Sequence, residues 1–314
     1  MSQRNINRLF VHSILLCVTL SPVVGNALDL TIEPRIQAGV MDYQFEQKPV
    51  EFTTAATGKS IDHGFKVVSV LPFVGGGATL FANRFFFDVY LQNALSGSDS
   101  ASNPSESSKL DEDLGLPIIN QIIYSKFDRE EYSLSVGYAV GSQWALFVGY
   151  RTSKTSFSDT IRFAEDVTLQ TDVGSFPATV TGSGKRSIDF KQDGYFLGGA
   201  YAFIIGEHAV VTFNAALAVL DGKYDSRGDI DITAAATVNG TPVSSTESTA
   251  LGFDFDGGTV GLNLGVAWKG RLVESLSYAL GVNGYSYDFD AKEKEVADLS
   301  ESVLRFSAGL SYQF

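Results

Sequence analysis

The chain has 314 residues with 36 acids against 23 bases, a net charge of −13, 44% hydrophobic residues and one cysteine. So acidic a chain lacks the clustered Lys and Arg that neutralise phosphates, which excludes nucleic acid as a partner. With only Cys17 it is neither a disulfide scaffold nor a thiol enzyme.

The first segment, "MSQRNINRLFVHSILLCVTLSPVVGNALDL", places Arg4 and Arg8 ahead of a short apolar run that Ser13, Thr19, Ser21 and Pro22 interrupt, followed by Gly25, Asn26 and Ala27. That order predicts a secretory signal over residues 1–27, cut near Ala27. Residues 28–314 are then expected to form one domain, with 36 acids against 21 bases and no cysteine. Leu16 is not the small residue that a lipoprotein site at Cys17 would need.

Beyond the signal no stretch reaches the ~18 consecutive apolar residues of a membrane helix. What recurs is alternation, which is the mark of strands. Ten segments carry it: 29–45, 65–81, 84–95, 130–141, 143–156, 188–204, 208–224, 251–268, 271–289 and 301–314. In "HAVVTFNAALAVL", Val211, Phe213, Ala215, Leu217 and Val219 share one face, and Thr212, Asn214, Ala216 and Ala218 the other. "EEYSLSVGYAVG" and "GTVGLNLGVAW" repeat the pattern. Tight connections near 82–83, 141–142, 206–207 and 269–270 separate long polar ones near 46–64, 96–129, 157–187, 225–250 and 290–300.

An even strand count, one apolar face per strand and a short/long loop rhythm predict an all-β, antiparallel, up-and-down transmembrane barrel of ten strands, with short periplasmic turns and long extracellular loops. A closed barrel is also the one sheet that leaves no unpaired edge in lipid. If the hairpins of "ATVNGTPV" or "DVTLQTDVGSFPATVTGSG" entered the bilayer the count would be twelve. A β-sandwich or lipocalin-like barrel alternates similarly, but the aromatic ends of the apolar face, the strict short/long loop rhythm and the small, polar character of the other face together speak against it. Trp144, Trp268, Phe81 and Phe85 flank the short turns, and Tyr43, Tyr150, Tyr195, Tyr224 and Tyr285 lie toward the long loops, as two interfacial girdles would.

The last segment, "VLRFSAGLSYQF", alternates up to its final aromatic residue. With the signal and the alternation, it makes the chain resemble the outer-membrane β-barrel proteins of Gram-negative bacteria over nearly all of residues 28–314. The resemblance implies an outer-membrane location and contact with membrane lipids and lipopolysaccharide. It also implies that Phe306, Leu310, Tyr312 and Phe314 form the signal read by the barrel-assembly machinery.

Ten strands invite comparison with the omptin proteases, yet His63, in "SIDHGF", lacks the omptin Asp-x-His spacing. His208 follows a periplasmic turn, on the wrong side. No enzymatic activity, cofactor or metal is therefore expected. The acidic runs "DEDLG" and "DGKYDSRGDID" contain no complete calcium loop, and Arg227-Gly228-Asp229 is a tripeptide that recurs by chance.

The lumen is the better place for function. Small inward residues, such as Ser133, Ser135, Gly137, Gly198, Gly261 and Gly265, face bulky or charged ones on strands one and three. Glu33, Arg35, Asp88, Arg151, Asn214, Asn263 and Arg305 are expected to line the interior. Sealed charges must pair, so Glu33 and Asp88 are expected to meet Arg35, Arg151 or Arg305. Two readings follow: a narrow porin-like channel for passive diffusion of small polar solutes, or a plugged barrel that anchors acidic outer loops for adhesion or envelope integrity.

Overall fold

A computed structural model of the chain describes residues 30–53, 60–95, 121–171, 174–206, 209–238, 240–292 and 299–314. The segment expected to be the signal lies outside them. Among the described residues ten strands occur in chain order: β1 (Leu30–Thr53), β2 (Ser60–Ala82), β3 (Phe85–Ala94), β4 (Gln121–Val140), β5 (Trp144–Thr171), β6 (Gly174–Ile205), β7 (Ala209–Val238), β8 (Thr241–Arg271), β9 (Leu276–Ala291) and β10 (Leu299–Tyr312). Each pairs antiparallel with its sequence neighbours, and β1 pairs with β10, so the sheet closes.

The alternation sorts side chains as a closed sheet in lipid requires. Outward positions form a continuous belt of exposed apolar residues, including Val136, Leu146, Leu197, Leu217, Val260, Leu264, Leu280, Phe306 and Leu310. A water-soluble protein does not leave so wide a band uncovered, whereas hydrocarbon demands it. Trp144, Trp268, Phe81 and Phe85 lie exposed at the turn end.

Strands run from 10 to 32 residues, and β1, β2 and β4 to β8 outrun the predicted segments, whereas β3, β9 and β10 do not. The stretches 157–187 and 225–250, expected as loops, are mostly strand. They extend the β5–β6 and β7–β8 hairpins upward in unbroken register to the Thr171–Gly174 and Val238–Thr241 pairs, and add no strand to the ring. Gly174 and Gly240 have positive φ at these tips, 132° and 80°, where residues with a Cβ are strained. A wall of four strands, β5 to β8, therefore stands well above the membrane.

The β8–β9 turn falls at 272–275, later than the expected 269–270, because β8 stays paired with β9 to Arg271. Residues 96–120 and 293–298, both expected in outer loops, lie outside the described residues.

Candidate functional site: the barrel lumen

Inward side chains fill the barrel in three tiers. The periplasmic tier holds Arg35 on β1, whose guanidinium donates to both oxygens of Asp88 on β3, at 2.7 and 2.9 Å. Thr79 stands between them, accepting from Arg35 at 2.8 Å and donating to Asp88 at 2.6 Å. This bidentate pair matches one expectation. Glu33 departs from it: its partner is the Lys269 ammonium, reaching in from β8 near the periplasmic mouth. Asn214 and Asn263 also face inward. Gly265 lies against the Asn214 amide, and Asn263 accepts a hydrogen bond from Tyr287 at 2.7 Å.

The middle tier is a buried network of charges. Arg151 donates to Glu131 at 2.8 Å, and Arg305 donates to the same carboxylate at 3.3 Å and to Gln92 at 2.8 Å. Arg129, 1% exposed, donates to Glu301, to Thr155 and, at 2.6 Å, to the hydroxyl of Tyr285. The Tyr285 ring is surrounded by three guanidinium groups: Arg151 at 4.2 Å from its centre, Arg305 at 5.5 Å and Arg129 at 5.6 Å. Such cation–π contacts gain strength when desolvated. Three arginines share two glutamates, and the tyrosine faces help to carry the surplus positive charge. Arg129 on β4 and Tyr285 on β9 stand on opposite walls of the ring, so the network crosses the lumen.

The outer tier is aromatic. Phe45 of β1 contacts Phe190 of β6, on the wall opposite, with ring centres 5.3 Å apart, and also Phe157 at 5.8 Å. Tyr224 stacks on Phe255 at 4.9 Å, Phe127 on Phe157 at 5.6 Å, and Phe289 meets Phe190 edge-on at 5.6 Å. Met41, Leu71, Phe73, Ile188 and Leu299 complete a buried core. Barrels near eight strands are filled by their own side chains, and this ring follows that rule along its upper half.

The small inward residues are slots for these and neighbouring rings. A Cβ on Gly137 would lie 2.0 Å from Cζ of Phe86, one on Gly198 2.6 Å from the Phe147 ring, and one on Gly261 1.9 Å from Tyr287. The space that glycine leaves on one strand is taken by the aromatic residue beside it.

All seven residues expected to line the lumen point into the barrel, but they do not form one ring. Arg151 and Arg305 belong to the middle tier, Arg35, Asp88 and Glu33 to the lower one. Arg129, Glu131, Glu301, Tyr285 and Tyr287 are not among the residues expected from the sequence, although parity marks them: Glu131 continues the Ser133/Ser135 face, and Glu301 the Arg305/Ser307 face. Tyr43, Tyr224 and Tyr285, expected in the outer girdle, are buried in the lumen. Tyr150 and Tyr195 do face outward, in ring contact at 5.4 Å.

Above that girdle Asp193, Lys191 and Asp189 follow on the outer face of β6. Burial opposes ionisation of Asp189, but the Ser156 hydroxyl and the Lys154 ammonium, 3.1 Å away, hold its carboxyl below the usual value. Arg227-Gly228-Asp229 is regular strand in β7, with the Arg227 guanidinium clamped on Asp225 by two 2.8 Å bonds. Of the three histidines, His63 lies on β2 opposite Val50, and His12 and His208 are outside the described residues. Among the described residues no cluster of metal ligands is gathered. On the last strand Phe306, Leu310, Tyr312 and Phe314 face outward, and the Phe314 N–H donates to the Ile32 carbonyl at 3.0 Å, which ties the final residue to β1.

No family model and no curated protein matches the chain. Among solved structures, the outer membrane protease OmpT from Escherichia coli is similar over 93% of this chain and 99% of its own, at 12% identity and a TM-score of 0.55. A FadL homologue of Pseudomonas aeruginosa aligns over 90% of both chains at 9% identity, with a TM-score of 0.30. Ail of Yersinia pestis aligns over 90% of this chain and 99% of its own at 10% identity, with a TM-score of 0.28. At such identities the first likeness speaks for the fold and for nothing finer. With the closed ring and the lipid-facing belt, the chain has the fold of the outer-membrane β-barrel proteins of Gram-negative bacteria.

Proposed function

We propose that this protein is a sealed, non-enzymatic outer-membrane anchor, whose work is done by the four-stranded wall that β5 to β8 raise outside the cell. The observation that carries the reading is the contact of Phe45 with Phe190 across the full width of the barrel, backed from below by the Arg129–Glu131–Arg151–Arg305 network. A diffusing polar solute would have to part stacked rings and then separate buried ion pairs, and each step carries a large desolvation cost. The outer face of the wall, where Asp229, Asp231 and Asp256 stand beside the Asp225–Arg227 and Asp254–Lys223 pairs, suits a role in surface contact. In the same reading lipopolysaccharide surrounds the belt, and Phe306, Leu310, Tyr312 and Phe314 serve delivery to the assembly machinery.

The alternative is the narrow diffusion channel for small polar solutes. Refolded protein in planar lipid bilayers separates the two. The anchor predicts silence under voltage; a reproducible, steady conductance step at low voltage overturns it and returns the channel.

A further inference from the structure

Among the described residues, each outer strand of the wall above the membrane has a neighbour on one side only. Between Gly257 and Arg271, β8 lies between β7 and β9; from Thr241 to Phe255 only β7 is hydrogen-bonded to it among the described residues. The change comes at Asp256, whose carbonyl accepts the N–H of Lys292. Every residue from Thr241 to Ala250 is exposed. On the other side of the wall β5 pairs with β4 only as far as Arg162, so Phe163 to Thr171 has β6 as its sole described neighbour.

These edges belong to the same tier. Val167 stands opposite Ala178, Ala178 opposite Ala236, and Ala236 opposite Val243. Each edge turns the N–H and C=O groups of alternate residues away from its one described neighbour. Exposed edges are normally blunted by Lys, by Pro or by a bulge. From Thr241 to Phe255 the edge contains no Lys, its one Pro is Pro242 beside the tip, its register with β7 is unbroken, and Glu247 and Asp254 are its charges.

Membrane insertion limits what can complete such an edge. Two copies in one membrane share the direction of the membrane normal, so their β8 strands run the same way and meet as parallel strands. β5 climbs away from the membrane while β8 descends toward it. The β5 edge of one copy therefore meets the β8 edge of the next antiparallel, the more stable pairing. We infer that copies of this protein join edge to edge above the membrane, β5 of one completing β8 of its neighbour. The contact is heterologous, so it generates rows or closed rings rather than twofold dimers. It does not depend on whether the lumen is sealed.

Cysteine pairing tests this directly. One tagged population carries Val167→Cys and a second carries a cysteine at Val243, Ser245, Glu247 or Thr249, and the two are assembled together in one membrane and oxidised. Folding of each variant is checked by its heat-dependent migration. The expected result is a covalent heterodimer between the β5 and β8 variants that is lost when Thr246→Pro is added to the β8 partner. Folded variants that give no heterodimer at any of the four positions, or β8–β8 products of equal yield, overturn the proposal. Capture of a different envelope protein in place of the second copy also overturns it.

Discussion

Arg151 holds its guanidinium 4.2 Å from the centre of the Tyr285 ring while donating to Glu131 at 2.8 Å. One side chain thus meets a carboxylate from the neighbouring strand β4 and an aromatic face from β9, across the lumen. Removing it as Arg151→Ala leaves Glu131 buried with Arg305 at 3.3 Å as its nearest cation. A broken buried pair typically costs about 3–5 kcal/mol. Urea unfolding of the refolded barrel should report a loss of that order, and Arg151→Lys should recover only part of it, because an ammonium cannot make the same flat contact with the ring.

The aromatic tier gives a prediction about permeability. Phe45 and Phe190 approach each other from opposite walls, so the Phe45→Ala/Phe190→Ala double variant removes that direct bridge between them. Each truncation costs about 3–5 kcal/mol in a packed core, and survival of the fold is read from heat-dependent migration. The folded double variant should still be silent in planar bilayers, because the charged tier lies beneath. Removing the network as well, through Arg129→Ala, Glu131→Ala, Arg151→Ala and Arg305→Ala, should produce measurable conductance. Conductance from the double variant alone would mean that the lower tiers do not seal.

Much of this architecture is legible in the residues, and the misses have one cause. Period-two alternation placed every membrane-spanning segment, and parity directed Glu33, Arg35, Asp88, Arg151 and Arg305 inward. Residue type is a poorer guide than parity: Tyr43, Tyr224 and Tyr285 occupy inward positions on their strands, although tyrosine's preference for interfaces points to a girdle. The extents of β5 to β8 were underestimated for a related reason: above the membrane the outer face turns polar, so the contrast that marks a lipid-facing strand disappears while the pairing continues. The Glu33–Lys269 pair joins residues 236 positions apart, and only the closing of the ring brings them together.

Asp189 supplies a pH test outside the membrane. Its folded-state carboxyl lies below its ordinary value, so the stabilisation is present above the unfolded value of about 4 and is lost as pH falls through the folded one. The side chain is 37% exposed, so screening keeps the effect small. Asp189→Asn should lower the melting temperature slightly at pH 6, and the difference from the parent should vanish near pH 2. A difference that persists at the lower pH would assign the effect to packing rather than to charge.

The C-terminal strand separates folding from delivery. Phe314 is 75% exposed and contacts the Tyr312 ring at 4.7 Å, so deleting its side chain removes little buried area. Phe314→Ala is expected to refold in detergent with near-parental stability and to reach the outer membrane at a reduced level in cells. A large loss of stability in detergent would make the residue a structural one instead.

Glycine-to-ring packing is the last feature that can be tested. Gly137 leaves a slot on β4 into which Phe86 of β3 lays its ring, and a Cβ there would overlap Cζ at 2.0 Å. Gly137→Val forces the ring out of the slot and, as overpacking does, should cost about 1–3 kcal/mol in unfolding experiments. The companion change Phe86→Ala empties the slot, so Gly137→Val should cost measurably less in that background. A double-mutant cycle reads the coupling directly. If the two costs simply add, the glycine serves backbone curvature rather than the ring, since relief of bending strain would not depend on Phe86.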